Sequence, residues 1–86
     1  MEERPAKVVH VDKEKFAQIE EGKRAFIIAR TSTPNEYVDG DILFIDEAVE
    51  GRRTGPRVVA VATEVEEMRA NETGGWAVVS IRVERR

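Results

Sequence analysis

The feature that most constrains the fold of this chain is a series of short β-branched and apolar stretches separated by turn residues. The strand-like stretches are residues 8–11, 25–30, 42–45, 58–66 and 76–84. In the fourth stretch Val59, Val61 and Val65 alternate with other residues, and we expect these valines to share one face. The stretch at 25–30 is apolar almost throughout, so we expect it to be buried on both faces. The sequence thus predicts five short strands.

One stretch, KEKFAQIEE at residues 13–21, has the pattern of a helix instead. Phe16 and Ile19 are three residues apart, which places them on the same helix face. Asp12 stands where an N-cap belongs, and Gly22 stands where a helix often ends in a left-handed residue. The sequence therefore predicts one helix between the first two strands.

Polar or glycine-rich segments connect these elements. We expect a polar loop at residues 31–37, a tight turn at 38–41, a long connection at 46–56 and a loop at 67–75. The 86 residues then form one domain, 1–86, of five strands and one helix. So few short strands must curl to protect their edges, which predicts a small β-barrel of the α+β, mainly β class.

Composition excludes several classes of function. The chain has no cysteine and one histidine, His10, so we expect no disulfide, no metal site and no cofactor. Its apolar runs are too short to cross a bilayer and its first residues are charged, so we expect a soluble, cytoplasmic domain. The net charge of −3 argues against non-specific binding to duplex DNA. Arg52, Arg53 and Arg57 nevertheless form a local basic cluster, which suits a small, discrete ligand or is simply a solvated loop.

Three motifs in order, FAQIEEGKRAFII, YVDGDIL and GWAVVSI, resemble the ASCH domain of the PUA-like superfamily. Within that superfamily the chain is most similar to small, often phage-encoded ASCH-related domains of unknown function. The resemblance implies a PUA-like β-barrel of five or six strands with one helix packed across an opening. It also implies a cleft beside the Gly22–Lys23 step that holds RNA or a modified nucleoside.

Some members of the resembled family hydrolyse an acetylated cytidine and carry the motif G-x-K-x-x-T-x-R. In this chain Arg24 occupies the position of the motif's lysine, Ile27 that of its threonine and Ala29 that of its arginine. A guanidinium does not deprotonate in proteins, and Ile27 has no oxygen to attack an acyl carbon. The substitutions therefore argue against this catalysis.

Six residues are candidates for ligand or RNA binding: Lys23, Arg24, Arg30, Ser32, Asn35 and Tyr37. Arginine forks bind phosphates and base carbonyls, and a tyrosine ring can stack on a base. Each candidate also has an ordinary structural alternative. A cation next to a helix end interacts with its carbonyls, small polar residues form turns, and a tyrosine packs in a small core.

The sequence therefore predicts a non-catalytic binding module for RNA or a nucleoside- or nucleotide-like ligand, in a cleft beside the helix end. One alternative is a protein-interaction module that uses the acidic segment 36–50 or an exposed sheet edge, for instance a phage protein acting on a host protein. A second alternative is a diverged amidohydrolase with relocated catalytic residues, for which Lys23 and Glu64 are the candidates.

Overall fold

The computed structural model describes residues 4–71 and 74–84. Along the chain the elements are β1 (Lys7–Val11), α1 (Lys13–Glu20), β2 (Phe26–Thr31), β3 (Ile42–Val49), β4 (Arg52–Asn71) and β5 (Gly74–Val83). The five strands form one sheet that curls into a half-barrel, accompanied by the one helix. The expected α+β, mainly β, barrel-like fold is confirmed.

The order of the strands places the first two at opposite edges of the sheet. That order is β1-β3-β4-β5-β2, with β1 parallel to β3 and every other neighbouring pair antiparallel. The chain therefore leaves one edge after β1, forms α1, and begins the other edge at β2. Both edges have only one neighbouring strand, so α1 and the two edges together frame the opening of the half-barrel.

The helix begins and ends where the sequence predicts. Asp12 is the N-cap, and its side chain accepts a hydrogen bond of 2.8 Å from the amide of Lys15. Phe16 and Ile19 are almost fully buried, at 3% and 0% exposure, and join the core under the sheet. Gly22 has a φ of 79°, the left-handed conformation that ends the helix at little steric cost.

The strand β2 is buried on one face only, so the prediction that both of its faces are buried is wrong. Ile27 and Ala29 point into the core, at 3% and 7% exposure. Phe26 and Ile28 point outward, and Ile28 is 56% exposed. The half-barrel has a single layer of strands, and no element among the described residues covers its outer surface. An apolar run therefore does not imply burial on two sides here.

The predicted long connection at residues 46–56 is instead mostly strand. Only Glu50 and Gly51 lie outside β3 and β4, and both have the positive φ of a tight hairpin turn, 51° and 79°. The hairpin is stabilised by Asp46, whose buried carboxylate accepts hydrogen bonds from Arg57 at 2.6 and 3.0 Å. Because both faces of this exposed hairpin are polar, its sequence lacks the hydrophobic alternation that marks a strand.

The strand β4 also differs from the prediction that its three valines share one face: Val65 packs against the core, whereas Val59 and Val61 do not face it. Their neighbours Ala60 and Ala62 do, at 0% and 1% exposure. The pairing of β4 with β5 shifts by one residue after Ala62, and this β-bulge reverses which side chains point inward. Val65 packs against the core for that reason.

The predicted loop at residues 67–75 is mostly strand as well. β4 continues to Asn71 and β5 begins at Gly74, while residues 72–73 lie outside the described part of the chain. Cross-strand pairs join Met68 to Trp76 and Glu67 to Ala77. Charged and glycine residues dominate this hairpin, and backbone pairing with β5 determines its structure instead of a hydrophobic pattern.

The turn at residues 38–41 is tied to the N-terminal segment by a buried carboxylate. The side chain of Asp41 accepts hydrogen bonds from Arg4 at 2.7 Å and from the amide of Val38 at 3.0 Å. Burial by itself would raise the pKa of Asp41, but the Arg4 hydrogen bond, the Val38 amide and nearby cations outweigh it and lower that pKa. Asp41 thus bonds a turn amide, as its position suggests.

Candidate functional site

A cavity of about 150 Å³ lies at the opening of the half-barrel, where the two edge strands meet α1. It is lined by His10, Val11, Asp12, Lys15, Ile19, Arg24, Phe26, Ile27 and Ile28. The walls combine apolar side chains with a few polar and charged ones, which is the usual composition of a small-molecule site. The volume corresponds to roughly five water molecules at ~30 Å³ each, so the cavity accommodates one ring or one phosphate group.

The side chain of Arg24 is held at the wall of this cavity by two contacts. Its Nε donates a hydrogen bond of 2.9 Å to Oε1 of Gln18, and its guanidinium lies 4.7 Å from the ring centroid of Phe26. These two contacts fix the plane of the guanidinium. No other side-chain hydrogen bond of Arg24 forms within residues 4–71 and 74–84, so its terminal nitrogens retain their donors for a ligand.

The backbone that carries Arg24 is fixed by the end of the helix. The amides of Lys23 and Arg24 both donate to the carbonyl oxygen of Gln18, at 2.8 and 3.2 Å. The left-handed Gly22 allows the chain to double back in this way. Gln18 therefore positions Arg24 twice, through its backbone carbonyl and through its side chain.

Charges around the cavity are mixed, with cations in excess. Asp12 is the one acid in the lining. The hydrogen bond that its carboxylate accepts from the Lys15 amide lowers the pKa of Asp12, and the positive charges of Lys15 and Arg24 act in the same direction. The ammonium of Lys15 lies 3.4 Å from the Asp12 carboxylate. With Asp12 and Lys15 paired, Arg24 supplies the unbalanced positive charge, which favours an anion or a base carbonyl.

The other predicted binding residues lie elsewhere. Lys23 does not line the cavity: its side chain is 74% exposed and its ammonium lies 3.3 Å from Glu21. Arg30 lies at the opposite end of β2, with its guanidinium 5.3 Å from the ring centroid of Trp76. Arg30 and Ser32 line an open hollow of about 550 Å³. A single small ligand therefore cannot contact Arg24 and Arg30 together.

The loop after β2 accounts for the remaining predicted residues. The amide and hydroxyl of Ser32 both donate hydrogen bonds to the Glu36 carboxylate, at 3.0 and 3.2 Å. The hydrogen bond from the amide is the main reason that the pKa of Glu36 is lowered. Asn35 adopts a φ of 57°, and its amide donates to Glu67 at 3.1 Å. Tyr37 packs against the core, and burial raises the pKa of its hydroxyl. Through these contacts, Ser32, Asn35 and Tyr37 stabilise the conformation of the loop.

Several residues of the cavity were not among the sequence-based candidates. Gln18 and Phe26 orient the Arg24 guanidinium, Lys15 contributes a charge, and His10 lines the wall. The signal in the sequence was the spacing of α1, because Lys15 and Ile19 lie one helical turn apart on the face towards the cavity. The contribution of β1 depends on the curl of the sheet, which the local sequence does not reveal.

Of the three positions matched to the resembled hydrolase motif, Arg24 and Ile27 line the cavity and Ala29 does not. Ile27 and Ala29 are both almost fully buried, at 3% and 7% exposure. Among the described residues, no group of three or more histidine or acidic side chains could hold a metal ion. The one helix described has eight residues and is too short and polar to span a membrane.

Comparison with known protein families finds no family model that matches the chain, and comparison with curated proteins finds no match either. Inference about function therefore depends on the cavity, on the surface of the sheet and on the three motifs described above.

Proposed function

We propose that this chain is a non-catalytic binding module for RNA or a nucleoside- or nucleotide-like ligand, which it holds in the cavity beside Arg24. The observation that carries the proposal is the Arg24 guanidinium, fixed by Gln18 and Phe26 at the cavity wall with its terminal nitrogens free. A guanidinium held in this way binds a phosphate or a base carbonyl without first losing side-chain entropy.

The size of the cavity limits how much of a ligand it holds. About 150 Å³ is well below the roughly 300–1,000 Å³ of sites that enclose a drug-sized molecule. One base or one phosphate therefore enters, while the rest of the ligand lies over the surface. Val11 supplies an apolar wall for the flat face of a base, and Arg24 supplies donors for its edge.

The resemblance to ASCH domains supports the same proposal. The resemblance implies a ligand cleft beside the Gly22–Lys23 step, and the cavity of this chain is lined by the next residue, Arg24. With Arg24, Ile27 and Ala29 at the motif positions, the proposed activity is binding without hydrolysis. A cytoplasmic location and a phage origin go with the proposal, since the resembled domains are often phage-encoded.

The test is a fluorescence anisotropy titration with a labelled short single-stranded RNA of mixed sequence, repeated with nucleoside monophosphates as competitors. Arg24→Ala should weaken binding by about 1–3 kcal/mol, the scale of a charge-assisted contact. Arg52→Ala is the matched control, because it removes the same charge from the exposed β3–β4 hairpin, away from the cavity. Affinity should also fall as salt rises, with a slope of roughly −0.7 per phosphate contacted.

Two results would contradict the proposal. One is the absence of RNA or nucleotide binding by the wild type at low salt. The other is an equal loss of affinity in Arg24→Ala and Arg52→Ala, since that pattern indicates non-specific attraction to positive charge.

A protein-interaction role is the second candidate, and one observation favours it. The outer surface of the sheet exposes several large apolar side chains, among them Ile28, Met68 and Trp76. Such a surface is enriched in the residue types that dominate protein interfaces.

A further inference from the structure

The outer face of β2, β5 and β4 carries a contiguous apolar patch. Ile28 is 56% exposed, Met68 52%, Trp76 43% and Phe26 37%, and the half-buried Val78 lies among them. Most large apolar residues on a monomer surface are scattered singly, whereas these five lie on three adjacent strands. We define them as the outer patch.

The register of the strands determines which residues of the outer patch are neighbours. Ile28 pairs with Val78, which pairs with Glu66 on the next strand. Arg30 pairs with Trp76, which pairs with Met68. Since neighbouring strands lie about 4.8 Å apart, each row spans about 10 Å across the patch.

Opposite charges border the two sides of the outer patch. Arg30 lies on β2, while Glu64 and Glu66 lie on β4 and are exposed. Neither glutamate forms a salt bridge with another residue of the described ranges 4–71 and 74–84. The face therefore has a cationic border, an apolar middle and an anionic border, in that order.

We propose that two copies of this chain pack through their outer patches, with the two-fold axis running along β5. Such an axis places β2 of one copy over β4 of its partner, so that the cationic border of each lies over the anionic border of the other. A two-fold interface must be complementary to itself, and this distribution of charge meets that requirement. Arg30 then lies within one row of the partner's Glu66.

The other face-to-face arrangement, with the axis perpendicular to the strands, is disfavoured. It places β4 over β4 and brings Glu66 close to its own copy, an uncompensated like-charge contact. An axis along β5 also brings one pair of like charges together, because each Arg82 on β5 lies near the Arg82 of the other copy at the end of the patch. Packed sheets cross at about 30°, so these two side chains diverge there, and Arg82 also lies 3.8 Å from Glu84 of its own chain.

The proposed interface is small. Its three strands span only about 10 Å, so it lies well below the ~800 Å² per partner of a standard interface, and we expect a weak dimer in equilibrium with the monomer. Phe26 and Ile28 belong to the outer patch and also line the cavity, whereas Arg24 lines only the cavity and Arg30 and Glu66 border only the patch. Substitutions of Arg24 and of Arg30 or Glu66 therefore test the ligand site and the dimer separately.

The test is analytical ultracentrifugation over a range of concentrations, with charge-reversed variants. Arg30→Glu places acids on both borders, and Glu66→Arg places bases on both borders, so each variant repels its own copy. We expect either substitution to raise the dimer dissociation constant by at least about tenfold. An equal mixture of the two variants should restore the dimer, because each then meets the opposite charge on both sides.

Controls make the result decisive. Glu50→Arg reverses a charge on the β3–β4 turn, away from the outer patch, and should leave the dissociation constant unchanged. Ile28→Lys should abolish the dimer in any mixture, because it interrupts the apolar middle. Circular dichroism should show unchanged folding in all variants, as every substituted side chain is exposed.

Three outcomes would overturn the proposal. A wild type that stays monomeric at every concentration excludes the dimer. A dimer that survives both charge reversals, or that the mixture fails to restore, excludes the proposed axis. A monomeric wild type that loses RNA affinity in Arg30→Glu would assign the outer patch to nucleic acid instead.

Discussion

The side-chain oxygen of Gln18 accepts a hydrogen bond of 2.9 Å from Nε of Arg24, between the last turn of α1 and the residue that leads into β2. The bond fixes a cation at the cavity wall, since the ring of Phe26 supports the other side of the same guanidinium. Replacing Gln18 therefore tests whether the orientation of Arg24 matters as well as its charge.

We expect Gln18→Ala to weaken RNA binding by about 0.5–1.5 kcal/mol, the net contribution of one hydrogen bond, while Arg24 keeps its charge. Anisotropy titration measures the loss. Thermal unfolding should change little, because alanine is a good helix former and Gln18 is only half-buried. A variant that binds as tightly as the wild type would show that Arg24 needs no fixed orientation.

The Asp46 carboxylate determines how the β3–β4 hairpin responds to acid. The hydrogen bonds from Arg57 lower the pKa of Asp46, and the charges of Arg53, Arg57 and His10 act in the same direction against burial. A lowered pKa in the folded state means that the stabilisation is complete above the unfolded value of about 3.9 and is lost as the pH falls below it.

Asp46→Asn should therefore lower the free energy of unfolding by about 1–2 kcal/mol at neutral pH, because the half-exposed arginines are partly screened. The difference from the wild type should stay constant down to about pH 5 and shrink below about pH 4. Urea unfolding at a series of pH values measures it. Glu50→Gln, a turn substitution, should change stability by less than about 0.5 kcal/mol. A difference independent of pH would refute the assignment.

Two adjacent glycines provide a matched test of the β4–β5 pairing. A side chain at Gly75 would overlap the carbonyl oxygen of Met68 in the neighbouring strand, whereas one at Gly74 would make an ordinary contact of 3.5 Å with the carbonyl oxygen of Thr31. Gly75→Ala should destabilise the protein by about 1–3 kcal/mol, and Gly74→Ala by much less. Thermal denaturation of the two variants measures both. Equal effects would contradict the pairing of this hairpin.

The motif positions predict the outcome of an activity assay. The resemblance to the hydrolase motif places Arg24, Ile27 and Ala29 at the positions of its lysine, threonine and arginine, so we predict that incubation with N-acetylated cytidine releases no free cytidine. Chromatography of the products measures this directly. Turnover that is lost in Lys23→Ala or Glu64→Ala would instead demonstrate a relocated catalytic site.

Local chemistry made part of the fold predictable. Asp12 and Gly22 identified both ends of α1, because capping depends on a few neighbouring residues. The remaining strands could not be predicted from the local sequence, because they depend on long-range pairing. The hairpins around Gly51 and Gly74 carry polar residues on strands. The first is stabilised by Asp46 and Arg57, eleven positions apart, and the second by the pairing of β4 with β5. The bulge after Ala62 reversed the valine alternation, which no local pattern indicates.

The candidate site was predictable to the same extent. Arg24 follows the helix-ending glycine, so its place next to α1 was readable from the sequence. The separation of Arg24 from Arg30 also follows from six residues of extended chain, about 20 Å. The approach of β1 to β2 could not be predicted from the sequence, because it results from the curl of the whole sheet.

The most direct test of the proposed ligand site is a nuclear magnetic resonance titration of the ¹⁵N-labelled protein with a nucleoside monophosphate, at low salt. The largest amide shifts should fall on Val11, Lys15 and Arg24, around the cavity, and the same titration of Arg24→Ala should lose them. The absence of shifts in the wild type, or shifts centred on Trp76 and Arg30 at the far end of β2, would contradict a site at Arg24.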